Sequence, residues 1–247
     1  MDRWVEKTAV VTGASSGIGA AICVALAGAG INVVGLARRA ERIDKLNSQV
    51  RGNGKITSRK CDVSISEEVA ATFKWIHERF GSIHIMINNA GVIYAGEITD
   101  VGNDMLSEKD LMATIDINLK GSIMCARHAI ASMRSNDFNG HVVNINSTAG
   151  HYVPWSPKYN VYSSSKYGVT GFTEALLNEL SDHKSKIKVT SLCPGLVRTE
   201  MSDVPMMMAF PALRPEDIAD AVLYVLSTPP SVNINQLTIS PVTEKRM

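Results

Sequence analysis

Thr8-Ala9-Val10-Val11-Thr12-Gly13-Ala14-Ser15-Ser16-Gly17-Ile18-Gly19 carries a short β-branched run into a cluster of glycines and out into an apolar segment. The first five residues have the length and composition of a buried strand, and Gly13 stops them. Ile18 to Ala29 then reads as a helix with Gly30 as its stop. Glycines between strand and helix let the backbone turn tightly. The first-turn N–H groups of the helix, at the positive end of its dipole, then face whatever lies beyond the strand. A pyrophosphate is the matching ligand; a tight turn that binds nothing is the alternative. The spacing is G-x-x-x-G-x-G, not the common dinucleotide fingerprint G-x-G-x-x-G. No Lys-Ser or Lys-Thr follows, as a triphosphate loop would need.

Outward from this stretch the same alternation repeats. Strands are expected at Ile31–Ala37, Ile56–Lys60, Ile83–Ile87, His141–Ile145, Ile187–Leu192 and Gln236–Ile239. Helices are expected near Glu41–Val50, from a Ser64/Glu67 capping box to Phe80, and over Leu111–Met133, Val161–Leu180 and Pro215–Ser227. Parallel strands need crossover connections, and the favoured crossover is a helix. The pattern therefore predicts an α/β fold: one doubly wound, Rossmann-type domain over residues 1–247, its seven-stranded parallel sheet covered by helices on both faces. Such sheets bind ligands beyond the carboxyl ends of their strands.

Composition excludes several classes. With 25 Lys+Arg against 24 Asp+Glu the net charge is +1, and no basic run gives a footprint for nucleic acid. Cys23, Cys61, Cys125 and Cys193 are widely spaced, which argues against a disulfide scaffold, a zinc ribbon or any other metal site and for a reducing compartment. Thr8 to Ala37 holds no charged residue and superficially resembles a signal or membrane segment. Asp2 and Glu6 offset the flanking Arg3 and Lys7, and glycines 13, 17, 19, 28, 30 and 35 punctuate the stretch. No membrane span and a cytoplasmic location are expected.

The end of the second strand bears on the cofactor. NAD-binding folds place Asp or Glu there to hold the ribose hydroxyls. Here Leu36-Ala37 runs into Arg38-Arg39, and two guanidiniums suit a 2′-phosphate. The alternative is a solvated surface pair. Asp62, followed by Val63, ends the third strand within reach of an adenine. Asn88-Asn89-Ala90-Gly91 ends the fourth, in a sequence that also suits a plain turn.

Tyr162-Ser163-Ser164-Ser165-Lys166 puts a phenol and an amine at i and i+4 on one helical face. An adjacent ammonium stabilises a phenolate, so the Tyr162 pKa is expected to move down from about 10. Such a phenol can give a proton to a carbonyl under reduction or take one from an alcohol. Tyr162 alone among the six tyrosines has Lys four residues on. Ser147, ending the fifth strand, offers a hydroxyl to the reacting oxygen. Asn118, inside the long helix, is an amide that needs a hydrogen-bonding partner.

Taken together, Thr12-Gly13-x-x-x-Gly17-x-Gly19, Asn88-Asn89-Ala90-Gly91, Asn118, Ser147, Tyr162-x-x-x-Lys166 and Pro194-Gly195 resemble, in this order and over nearly the whole chain, the short-chain dehydrogenase/reductase family. The resemblance implies that Tyr162 is the acid/base, Lys166 binds the nicotinamide ribose, Ser147 orients the substrate oxygen and Asn118 holds a relay water. It implies NADP(H) held by Gly13, Ser15, Ser16, Gly17, Ile18, Gly19, Arg38, Arg39, Asp62, Val63, Asn89, Ala90 and Gly91. Pro194, Gly195, Val197 and Thr199 then lie at the carboxamide. It also implies a homodimer or homotetramer packed through the helices of Asn118 and Tyr162.

Ser147 and Tyr162 stand 15 apart, about two more than in the commonest members. With the ending Tyr224-Val225-Leu226-Ser227-Thr228-Pro229-Pro230, this looks most like a farnesol-dehydrogenase and ketosteroid-reductase branch. Substrate loops are expected near 92–104, 148–160 and 196–214. They supply mostly apolar candidates: Val92, Ile93, Tyr94, Val153, Trp155, Met201, Val204, Met206, Met207, Met208 and Phe210. The three methionines fit an adaptable pocket, or equally a lid or dimer contact. Arg198 is a substrate clamp only if it points inward. A neutral lipophilic alcohol or carbonyl, such as an isoprenoid or a steroid, is the expected substrate. A non-catalytic NADP(H)-binding regulator and a lipophile carrier are the competing readings.

Overall fold

The computed structural model describes residues 1–154, 156–202 and 209–244. Seven strands form one sheet in the order β3-β2-β1-β4-β5-β6-β7, every neighbouring pair parallel. They are β1 (Thr8–Thr12), β2 (Asn32–Ala37), β3 (Ile56–Lys60), β4 (Ile85–Asn88), β5 (His141–Ile145), β6 (Lys188–Pro194) and β7 (Gln236–Ile239). Strand order reverses between β1 and β4, and that crevice lies beyond the glycine turn. β1, β4, β5 and β6 are buried along their whole length, as expected of strands covered on two faces.

One face carries α1 (Gly17–Gly28) and α7 (Pro215–Ser227), packed on each other around Ile22, Leu26, Ile218 and Val222. Trp4 is fully buried in this layer and donates from Nε1 to the Leu226 carbonyl at 2.8 Å. The other face carries α3 (Ser66–Phe80), α5 (Gly121–Ser135) and α6 (Asn160–Asp182) around Val69, Ile76, Cys125, Ala129 and Leu176.

Three local expectations need correction. The helix near Glu41–Val50 is a single α-turn, α2 (Glu41–Asp44), followed by a 3₁₀ segment, Lys45–Gln49. Asn47 ends it by bonding both backbone groups of Ile56 on β3, at 2.8 and 3.0 Å. Ser64 and Glu67 form no capping box: α3 starts at Ser66, so Ile65 rather than Ser64 holds the N-cap position, and the Ser64 hydroxyl donates to Asp62 Oδ1 at 2.7 Å. The long helix is α4 (Glu108–Ile115) and α5 joined by one π turn, Asp116–Lys120, where the Gly121 N–H reaches back to the Asp116 carbonyl. π turns inside helices concentrate at functional sites, and this one contains Asn118.

At the opposite end of the sheet, His84 accepts the Thr8 N–H on Nδ1 at 3.0 Å, which requires a neutral ring. Burial, and then Lys7, lower its pKa to about 4; burial lowers that of His141 to about 3. The unfolded chain takes up these protons first, near pH 6.5. The stability the two rings contribute is complete above that value and is lost as pH falls toward 4 and then 3. In urea titrations at pH 7 and pH 4, His84→Asn is expected to shrink the acid loss of stability by about 2 kcal/mol. An unchanged pH dependence would remove His84 from this account.

Candidate active site

Gly13 and Gly17 have φ of +66° and +54°, the left-handed region that favours glycine. A Cβ on Gly13 would lie 2.9 Å from Ala90 Cα, and one on Gly19 would run into the Gly13 carbonyl. The end of β1 is thus pressed against Asn89-Ala90. Thr12 Oγ1 accepts both their N–H groups at 3.0 Å, and Asn89 Nδ2 donates to the Thr12 and Gly13 carbonyls at 2.9 and 3.3 Å. Ser16 precedes α1 without bonding its first turn, and that turn holds no acidic residue. Its first amides therefore carry no side-chain cap.

A cleft of about 230 Å³ opens above this turn. It is lined by Gly13, Ser15, Ser16, Gly17 and Ile18, by Arg38 and Arg39 at the end of β2, and by Asp62 and Val63 after β3. Asn89, Ala90, Gly91, Tyr162, Lys166 and Thr199 complete the part foreseen from sequence. A second cleft, of about 590 Å³, is lined by Ser147, Pro194, Gly195, Val197, Ile93 and Phe210, among others. Ile18, Asn146, Tyr162, Thr199 and Met201 line both. Tyr162 therefore stands where the two spaces meet.

α6 runs from Asn160 past both reactive side chains. The Tyr162 ring shares the second cleft with Ser147, whose Oγ accepts the Ala149 N–H at 3.1 Å. Lys166 is buried one helical turn on; its Nζ donates to the Ile145 carbonyl at 3.0 Å and lies 5.8 Å from the Tyr162 ring centre. Burial lowers the Lys166 pKa to about 8. The Tyr162 phenol moves up, not down as the i,i+4 pairing predicts. Burial is the larger effect, and the polar Ser147 hydroxyl only partly opposes it.

Asn118 lines neither cleft. Its side chain accepts the Val92 N–H at 2.8 Å and donates to the Val92 carbonyl and Ser165 Oγ, each at 3.0 Å. It clamps the segment after β4 to α6, beside Tyr162 and Lys166. Gly19 also stays outside both clefts, packed under the turn.

The expected substrate residues divide. Val92, Ile93, Met201 and Phe210 line the clefts; Tyr94 and Val153 do not, and Val153 is exposed. Arg198 lines neither and is exposed. Trp155, Val204, Met206, Met207 and Met208 lie outside the described residues. The second cleft also takes Tyr152, Pro154, Tyr159, Leu196 and Glu244, and Glu244 bonds the Leu196 N–H at 3.2 Å. Sequence reading missed two other groups. Asn146 sits one residue before Ser147; its Nδ2 bonds Thr170 Oγ1 at 2.9 Å and its buried Oδ1 has no partner among the described residues. Glu200 pairs with Arg39 at 3.0 Å and Arg42 at 2.8 Å across the mouth of the first cleft.

The family profile described as short chain dehydrogenase matches residues 7–205. This chain belongs to the short-chain dehydrogenase family. The chain is similar to the farnesol dehydrogenase of Aedes aegypti, with 46% identity over 99% of this chain and 100% of that one. Among solved short-chain dehydrogenases, an alcohol dehydrogenase of Thermococcus sibiricus complexed with 5-hydroxy-NADP superimposes with a TM-score of 0.82. The two are 27% identical, over 97% of this chain and 98% of that one. The closed form of serine dehydrogenase complexed with NADP+ gives 0.84 at 31% identity, over 96% of each. The Rossmann-type parallel sheet flanked by helices is common to this family, and the chain is accordingly an oxidoreductase of the short-chain type. Among the described residues no helix is long and apolar enough to cross a membrane.

Proposed function

We propose that this short-chain dehydrogenase is NADP(H)-dependent and interconverts a neutral lipophilic alcohol and its carbonyl, with an isoprenoid alcohol such as farnesol as the first candidate. The observation that carries the reading is the position of Tyr162, shared by a glycine-turn cleft and a larger, mostly apolar one. The first cleft fits a phosphorylated dinucleotide: uncapped amides at the start of α1, and Arg38, whose side chain makes no bond to the described residues. The Gly13–Gly19 turn would hold the pyrophosphate, Arg38 and Arg39 the 2′-phosphate, and Asp62 and Val63 the adenine. Lys166 would take the ribose, and Pro194, Gly195, Val197 and Thr199 the carboxamide. When bound, the nicotinamide supplies or accepts the hydride.

The chain's own part is positioning and proton transfer. Ser147 holds the substrate oxygen beside the Tyr162 hydroxyl. That hydroxyl gives its proton as a carbonyl becomes an alcohol and recovers it in the reverse reaction. The upward shift of the phenol keeps it loaded as a donor, which suits reduction. Lys166 keeps a buried positive charge behind the ring, and Asn118 fixes the backbone on both sides of it.

The chain would work as a dimer or tetramer. Met112 on α4, Ile123 on α5 and Tyr167 on α6 are exposed on the helices through which family members are expected to pack. A panel of isoprenoid, steroid, simple carbonyl and carboxylate-bearing substrates tests the reading. We expect kcat/KM at least tenfold higher with NADP(H) than NAD(H), and the highest values on neutral lipophilic pairs. Preference for NAD(H), or for the carboxylates, would overturn it.

A further inference from the structure

Arg38 and Arg39 are consecutive at the end of β2, yet they are not equivalent. Arg38 lines the first cleft with its guanidinium unbonded to any described residue. Arg39 lines the same cleft, but its Nη2 is 3.0 Å from Glu200 Oε2 and only 3.5 Å from Ser16 Oγ. The other Glu200 oxygen takes Arg42 Nη1 at 2.8 Å. Glu200 comes from the segment after β6, 161 residues beyond Arg39 in the chain. Thr199 beside it would be only 3.0 Å from a Cβ on Gly17. The chain therefore crosses the mouth of the crevice here. It sets a carboxylate on the guanidinium that would otherwise face a 2′-phosphate.

We infer that Glu200 is a specificity-determining residue that occupies Arg39 in place of the cofactor's 2′-phosphate and so weakens discrimination between NADP(H) and NAD(H). This rests on the NADP(H) reading of Arg38 above. A phosphate monoester carries a charge of about −1.5 to −2 at neutral pH. It feels Glu200 twice, as a rival for Arg39 and as a like charge nearby. The pairs are exposed, with Arg39 and Glu200 side chains 46% and 58% accessible, so water screens both effects and ions bound to Arg39 and Arg42 exchange readily. A several-fold effect is the scale to expect, not one of several orders. A cofactor without the 2′-phosphate has nothing to gain from a freed Arg39.

Glu200→Gln keeps shape and removes the charge. Dissociation constants are measured by calorimetry at low ionic strength for NADPH and 2′,5′-ADP, and for NADH and 5′-AMP, which lack the 2′-phosphate. We expect the first pair to bind three- to tenfold tighter to the variant and the second to change less than twofold, with the gain shrinking in 0.5 M KCl. Unchanged or weaker NADPH binding overturns the proposal, and weaker binding would make Glu200 a clasp over bound cofactor. Equal tightening for both pairs overturns it too. Arg38→Ala is measured alongside. If it separates NADPH from NADH while Glu200→Gln does not, only the role of Glu200 fails. If neither variant separates them, the NADP(H) reading fails and takes this one with it.

Discussion

Tyr162→Phe is expected to lower kcat about a thousandfold while leaving the NADPH dissociation constant within about threefold of the parent. Proton transfer by a positioned group contributes typically 10²- to 10⁴-fold, and Phe retains the ring while removing only the hydroxyl. The ring remains in the lining of the first cleft, near Lys166, so that cleft keeps its shape. The residue stands at the junction of the two clefts, and Ser147 lines the second beside it. Loss of the hydroxyl leaves a bound carbonyl oxygen without a proton source. Turnover is read by NADPH consumption under saturating substrate, and binding by fluorescence titration. Unchanged turnover would reject Tyr162 as acid/base and return the regulator and carrier readings to consideration. A large loss of NADPH binding would instead mean that the phenol supports the cofactor site.

Arg38→Ala is expected to raise the NADPH dissociation constant at least tenfold and to leave that for NADH nearly unchanged. Hydrogen bonds to a charged group contribute about 1.5–3 kcal/mol, a factor of roughly 10 to 150. Arg38 is exposed on the last turn of chain leaving β2 and is not committed to any described acid. Removing it therefore breaks no internal bond of the fold, so the change in affinity reads the phosphate contact itself. Arg39, held by Glu200, cannot substitute without giving up that partner. Equal losses for the two cofactors would show that Arg38 meets a part they share.

The sequence was most informative where one physical rule dominated. β1, β3, β5 and β7 have the bounds expected from their short β-rich runs, and α7 starts at Pro215 and ends at Ser227 as its N-terminal proline and apolar spacing require. Reading was weaker where two rules competed. Ser64 followed by Glu67 matches a capping box, but Asp62 takes both the N–H and the O–H of Ser64 into a turn, and the helix begins one residue too late for Ser64 to cap it. Glu41–Val50 has helical spacing, yet Asn47 is drawn to the backbone of β3 and tightens the chain into 3₁₀ turns. In the site, the order of motifs located the glycine turn, Ser147, Tyr162 and Lys166. It could not reveal that Glu200 reaches Arg39, because nothing local in either segment encodes a meeting across the crevice. Nor could it reveal the sense of the Tyr162 shift, which depends on how deeply the phenol is packed.

The five-residue turn at Asp116–Lys120 has a consequence for the whole α4–α5 rod. One residue more than a regular turn holds is wound into it, so α5 is out of phase with α4 by about 100° of rotation. With that offset in place, Cys125, Ala129 and Met133 lie in the core. A deletion of one residue here would give a more regular rod and a worse protein, swinging the apolar stripe of α5 toward solvent and carrying Asn118 away from Val92 and Ser165.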